Sequence, residues 1–235
     1  MKHVGIAGIT IPGSLLCIDA IVAESYKHFG SDSGKHPRIT YTNPALSDID
    51  PPIINKDWGQ VAKDLLESID ILVKAGADFV IIPSNSPHYA IAEVQQKAAI
   101  PVMSIVDIAV AECQRRGFKK VGILGVSVTM SDGLYEQPLR DNGIEPYTPD
   151  QADQGAINDL LYSEVIHGKP TPKTADKMRV FIQHLKDQGC DAFIAGCTEI
   201  PVVIASEADS PLPFVDTTRL LALRAFEEAI KVRVQ

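Results

Sequence analysis

The feature that most restricts what this chain can fold into is an internal echo. Val4-Gly5-Ile6-Ala7-Gly8-Ile9 is matched by Val121-Gly122-Ile123-Leu124-Gly125-Val126, an offset of 121 − 4 = 117 residues. Gly76-Ala77-Asp78-Phe79-Val80-Ile81 is matched by Gly189-Cys190-Asp191-Ala192-Phe193-Ile194, an offset of 189 − 76 = 113. One such match would mean little, because Val, Ile and Gly are common. Two matches in the same order, at nearly the same offset, point to a duplicated unit. Convergent strand and helix patterning without duplication is the competing reading.

Short apolar runs alternate with longer amphipathic ones, the pattern of βαβ units and a mostly parallel sheet. In the first half, strands are expected at residues 4–9, 38–42 and 78–82. Helices are expected at 14–28, with Ser14 as N-cap and Gly30 as stop, and at 56–74, ended by Ala75-Gly76-Ala77. The second half has strands at 120–124 and 191–195 and helices at 131–141, 156–167 and 174–188. A last helix, 217–232, has no counterpart in a simple tandem repeat and is expected to pack back on the first half. The fold class is therefore α/β: two Rossmann-like halves related by a pseudo-two-fold, with the active site in the cleft between them. The first half comprises 1–100 plus 208–235 and the second 101–207.

Composition narrows the function. A formal charge of −8 and the lack of any basic stripe argue against a nucleic-acid partner. Gly5 and Gly8 interrupt the N-terminal apolar run, which reads as a strand rather than a signal peptide. No apolar stretch reaches the ~18–20 residues that cross a bilayer. Cys17, Cys113, Cys190 and Cys197 show no CxxC spacing, so a reduced, cytoplasmic protein is expected. No cluster has metal-ligand spacing and no GxGxxG or P-loop is present, so neither a metal nor a cofactor is indicated.

Open α/β sheets bind ligands beyond the carboxyl ends of their strands. There the first half carries Pro83-Ser84-Asn85-Ser86-Pro87-His88 and the second Gly196-Cys197-Thr198-Glu199-Ile200-Pro201. The second register sets Ser84 on Cys197 and Asn85 on Thr198. Each loop is expected to open a helix, whose free N–H groups can hold an anion. Asp78 and Asp191 lie at the other end of their strands and read as strand-entry residues. Cys17, Cys113 and Cys190 read as small buried hydrophobes.

The segment Gly196-Cys197-Thr198-Glu199-Ile200-Pro201 resembles the GCTE(I/L)P signature of the aspartate/glutamate racemase family. The first loop resembles that family's PCNT(A)H signature, with Ser84 in place of cysteine and Ser86 in place of threonine. Gly122-Ile123-Leu124-Gly125 with Thr129 resembles its GxLGTxxT loop, Ser127 standing near the first threonine. Tyr135 and Gly143-Ile144 fit the helix and strand that follow. Gly5-Ile6-Ala7-Gly8 resembles the GGM(S/G) start, from which Ile9-Thr10 departs. The resemblance spans almost the whole chain.

It implies a cofactor-independent racemase of aspartate and/or glutamate, a homodimer with a small amino-acid substrate. Such a reaction removes the Cα proton on one face and returns one on the other, which calls for two opposed acid/base groups. By resemblance these are Cys197, facing the L-enantiomer, and Ser84. A helix N-terminus is expected to lower the thiol pKa. An alcohol is a far weaker acid than a thiol, so an enzyme favouring L-substrates is implied. Two alternatives stay open: a decarboxylase or isomerase using Cys197 alone, as in single-cysteine members of the superfamily, and a non-catalytic dicarboxylate-binding protein. Asn85, Ser86, Thr129 and Thr198 are the expected carboxylate donors, and Asn43 a further contact. His88 either orients Ser84 or is a structural loop residue. Glu199 either hydrogen-bonds across the cleft or favours a helix N-terminus. Arg38, His167 and Lys169 are the candidate cations for a side-chain carboxylate, since Ile166 occupies a position where lysine is common.

Overall fold

The computed structural model describes residues 1–166 and 169–231, so His167 and Val232 lie outside the described residues. The chain forms two compact units, Met1–Ile105 with Thr218–Gln235, and Val106–Thr217. Each holds a four-stranded, all-parallel sheet with helices around it. In the first unit β1 (Val4–Ala7), β2 (Ile39–Thr42), β3 (Phe79–Ile81) and β4 (Val102–Met103) are ordered β2-β1-β3-β4. In the second, β5 (Lys120–Leu124), β6 (Glu145–Tyr147), β7 (Ala192–Ala195) and β8 (Phe214–Asp216) are ordered β6-β5-β7-β8.

The sequence echo is also an echo of register. Val4 pairs with Phe79, and the residues matched to them, Val121 and Ala192, pair with each other. The turns into β3 and β7 repeat as well. Gly76 and Gly189 adopt φ of 86° and 81°, and the next residue's N–H closes back on Leu72 O or Leu185 O, each at 3.0 Å. That left-handed helix stop favours glycine because it has no Cβ to clash. Asp78 and Asp191 then do one job in both units. Asp78 Oδ2 accepts from His3 N at 2.6 Å, while Asp191 accepts from Lys119 N at 2.8 Å and Lys120 N at 3.2 Å. They tie the entries of neighbouring strands together, as their position predicts.

The helix Trp58–Lys74 follows from its pattern: Val61, Leu65, Ile69 and Leu72 are buried at helical spacing, and Asp57 caps the start by accepting from Gln60 N at 3.0 Å. The first helix runs Ile11–Phe29 with Thr10, not Ser14, as its N-cap. Pro12 lies in the first turn, where its missing N–H costs nothing, and Ser14 is an interior residue donating to Thr10 O at 2.8 Å. The single helix expected at 131–141 is two, Ser127–Ser131 and Glu136–Asp141, separated where Gly133 takes φ 82°. The one expected at 156–167 starts earlier, Gln151–Leu160 behind an Asp150 cap, and widens into a π-helical turn at Leu161–Ile166.

The last helix, Thr217–Ile230, belongs with the first unit except for its first residue. Lys2 N donates to Ala229 O at 2.7 Å, Lys2 and Glu228 form an ion pair, and Phe226 meets Phe29 at 6.2 Å between centroids. The units divide at Ile105/Val106 and Thr217/Thr218, later than the expected 100/101 and 207/208. The reason lies in the edge strands: β4 pairs with β3 and keeps 101–105 in the first unit, while β8 pairs with β7 and keeps 208–217 in the second.

Candidate active site

In the first unit the chain leaves β3 through Ser84, whose N–H donates to Ile82 O at 2.8 Å, and enters a 3₁₀ turn (Ser86–Ala90) followed by the helix Ile91–Lys97. Ser84 is half-buried; Asn85, Ser86 and His88 are buried. His88 Nδ1 lies 2.8 Å from Ser84 O, and Ile105 N donates to His88 Nε2 at 3.1 Å. An amide N–H can only donate, so Nε2 is unprotonated and Nδ1 carries the proton given to Ser84 O. Burial pulls the ring's pKa down to about 4, the hydrogen bonds to backbone opposing it only in part. His88 is thus a neutral loop anchor. Both nitrogens are committed to backbone, and neither serves the Ser84 hydroxyl.

Asn43 follows β2. Its Nδ2 donates to Pro44 O at 2.7 Å and Ile9 O at 3.4 Å, while Oδ1 is buried without a hydrogen-bond partner, as is Tyr41 Oη. Gly8 permits this approach: a Cβ there would stand 2.4 Å from Asn43 Oδ1 and 2.6 Å from Ser14 Oγ. A cavity of about 550 Å³ adjoins Asn43, but Asp48, Asp64 and Glu67 line it, and three carboxylates repel an anionic group.

In the second unit β5 and β7 end close together. Gly196 N donates to Leu124 O at 2.7 Å, and a Cβ on Gly196 would meet Thr129 Cγ2 at 2.9 Å and Leu124 O at 3.0 Å. A Cβ on Gly125 would meet Gly196 O at 3.0 Å. The two glycines let Thr129, fully buried, sit directly against the strand ends. Two supporting residues escaped the sequence reading. Asn158 Oδ1 accepts from Ser127 N at 2.9 Å, and Thr217 Oγ1 donates to Ala195 O at 3.0 Å. Asn158 carries no local signal; Thr217 had one, a hydroxyl immediately after a strand end.

Cys197 is buried in an apolar cluster with Leu124, Met130, Leu160 and Ile200. Its Sγ donates to Glu199 Oε2 at 3.1 Å, and Thr198 Oγ1 donates to the same oxygen at 2.6 Å. Burial pushes the thiol pKa well above its ordinary value and the Glu199 charge adds to this, while the Glu199 backbone N–H opposes it. This reverses the expected lowering. The helix after the loop is only Ile200–Val203, too short for a large dipole, so desolvation wins. Glu199 Oε2 turns back onto its own loop rather than only favouring a helix end.

Neither Arg38 nor Lys169 lies at a strand carboxyl end. Arg38 is exposed at the entry to β2, Lys169 is exposed beyond the π-helical turn, and His167 is outside the described residues. Cys17, Cys113 and Cys190 are buried, and burial raises the thiols of Cys113 and Cys190 to about 12 and about 11. Among the described residues no group of three His, Cys, Asp or Glu is placed to hold a metal, and no helix is long and apolar enough to cross a membrane.

The family model for Asp/Glu/hydantoin racemase matches residues 6–225. The broad specificity amino-acid racemase RacX of Bacillus subtilis (strain 168) is 26% identical over 207 residues, 87% of this chain and 88% of the relative. An aspartate racemase homologue from Pyrococcus horikoshii OT3 superposes with a TM-score of 0.84 at 25% identity, covering 97% of this chain and 99% of its own. The Picrophilus torridus aspartate racemase shares the fold, with a TM-score of 0.80 at 23% identity and coverage of 97% and 94%.

Proposed function

Because the chain belongs to the Asp/Glu/hydantoin racemase family, we propose that it is a cofactor-independent amino-acid racemase acting on aspartate and/or glutamate, with L-enantiomers the better substrates. Cys197 is the acid/base group of the second unit and Ser84 its counterpart in the first. The observation that carries this reading is the buried loop in which Cys197 Sγ donates to Glu199 Oε2 at 3.1 Å. A thiol with its own carboxylate partner is equipped for proton transfer, whereas a structural cysteine needs none.

The preference for L-substrates follows from what Ser84 lacks. His88 is bound to backbone at both ring nitrogens, so it cannot take the hydroxyl proton. Ser84 is left a weak acid and a poor base, sufficient to return a proton to a carbanion but slow to remove one. Thr129, Asn85 and Ser86 supply side-chain donors for a carboxylate on which charge develops, while the Thr198 hydroxyl is given to Glu199 Oε2. The unpartnered Oδ1 of Asn43 suits a substrate ammonium group. Aspartate and glutamate are favoured by the family, and the working form is a homodimer in a reducing compartment, consistent with four free cysteines.

The test is α-hydrogen exchange in deuterated water with L- and D-aspartate and glutamate, followed by mass and chiral chromatography. Exchange of L-substrate faster than D-substrate is expected. No exchange of any of the four would reject an aspartate/glutamate racemase and leave the single-cysteine decarboxylase or isomerase and the binding protein.

A further inference from the structure

Cys197 poses a chemical problem. Its thiol is buried and neutral, yet removing a Cα proton requires a thiolate. Giving the thiol proton to water would create a second anion beside the Glu199 carboxylate, and burial penalises each charge added. Moving the proton across the 3.1 Å hydrogen bond between Sγ and Oε2 leaves the loop's net charge unchanged. Only the seat of the one negative charge moves.

We infer that Glu199 is the proton acceptor for Cys197, a positioning residue that holds the thiol's proton rather than a ligand of the substrate; this rests on the racemase reading. In the step, the S–H bond of Cys197 breaks and an O–H bond forms on Glu199, giving thiolate and carboxylic acid. The thiolate then takes the Cα proton, re-forming S–H and leaving the electron pair on Cα. Nothing is oxidised or reduced. For exchange without inversion, Cys197 returns a proton to Cα and its thiolate takes back the Glu199 proton. For inversion, Ser84 gives the proton, Cys197 keeps its S–H, and the Glu199 proton passes through solvent to the Ser84 alkoxide, which restores the starting state.

Three features support it. Thr198 Oγ1, 2.6 Å from Oε2, holds that oxygen in place. Sγ of Cys197 and Oγ1 of Thr198 converge on that same oxygen, so an acceptor lies within direct hydrogen-bond reach of the thiol. Among the described residues Glu199 is the one ionisable group whose charge acts on the thiol; Leu124, Met130, Leu160 and Ile200, from the elements packed around it, are apolar.

The experiment compares wild type, Glu199→Gln and Glu199→Asp by two readouts. The first is the pH midpoint of thiolate ultraviolet absorbance in ligand-free protein, with Cys197→Ala in the same background subtracted. The second is α-hydrogen exchange of L-substrate. In Glu199→Gln the midpoint should fall by about one pH unit or more, because a neighbouring negative charge is gone. Exchange should nevertheless slow ~10²-fold, because the acceptor is gone, and Glu199→Asp should recover part of it. A thiol that ionises more easily but works more slowly is the signature of a lost proton acceptor. Retained or faster exchange in Glu199→Gln would overturn the inference, as would an unmoved midpoint. Loss of exchange together with a large fall in melting temperature in both variants would make Glu199 a structural prop and overturn it too. If the wild type exchanges nothing, the racemase reading fails and the catalytic use of the proton with it, while the midpoint still reports whether Glu199 controls the thiol.

Discussion

His88 grips the backbone carbonyl of Ser84, 2.8 Å from Nδ1, and gives neither ring nitrogen to the serine hydroxyl. His88 therefore fixes the position of Ser84, not the reactivity of its hydroxyl. A thiol at the same place would need no such help, since it ionises about 5 or more units below an alcohol in ordinary solution. Ser84→Cys is expected to raise exchange of D-substrate at least ~10-fold relative to L-substrate, measured from initial rates with each enantiomer. An unchanged ratio would mean that Ser84 is not the second group.

The same histidine should make the protein acid-sensitive. Its pKa is about 4 in the folded chain, below the ordinary 6.5. Above pH 6.5 the ring is neutral in both states and the contribution to stability is complete. As pH falls from 6.5 toward 4 the unfolded chain takes up a proton that the folded chain refuses, so stability declines; below about 4 the loss levels off. The full loss is roughly 3 kcal/mol. Urea unfolding across this range should show the decline, and His88→Gln, less stable by ~2–4 kcal/mol at neutral pH, should lack this component of it.

Cys197 is buried, but its side chain is small. Cys197→Ala should cost no more than ~1–2 kcal/mol of stability, yet lower exchange by ~10³-fold or more. Activity within tenfold of wild type, in a variant with a native unfolding midpoint, would remove Cys197 from the chemistry.

Gly196 tests the closeness of the strand ends. In Gly196→Ala the new Cβ would lie 2.9 Å from Thr129 Cγ2 and 3.0 Å from Leu124 O, and a backbone oxygen cannot swing aside. A destabilisation of ~1–3 kcal/mol is expected, with slower exchange because Thr129 and Cys197 share that packing. Chemical denaturation measures the first effect and the exchange assay the second.

Much of this architecture is legible in the chain itself. Alternating apolar runs and the two echoed segments give a parallel α/β fold, and the structure pairs the echoed strands alike in both units, Val4 with Phe79 and Val121 with Ala192. These features are readable because strand burial, helix stops at Gly76 and Gly189, and strand-entry aspartates depend on residues close in sequence. The edge strands β4 and β8 were not readable from the residues, and β6 was reached only through the family resemblance at Gly143-Ile144. They are two or three residues long, and their existence depends on a partner strand already being in place.

The sequence by itself determined that Ser84 and Cys197 follow corresponding strands and that one is an alcohol and the other a thiol. Tertiary structure decided the state of each. Burial in an apolar cluster raises the Cys197 thiol where a helix terminus alone would lower it. The backbone of Ile105, seventeen residues away from His88, fixes which ring nitrogen holds the proton. Protonation depends on dielectric surroundings and on partners brought from afar, and neither is encoded in the residues on either side of a motif.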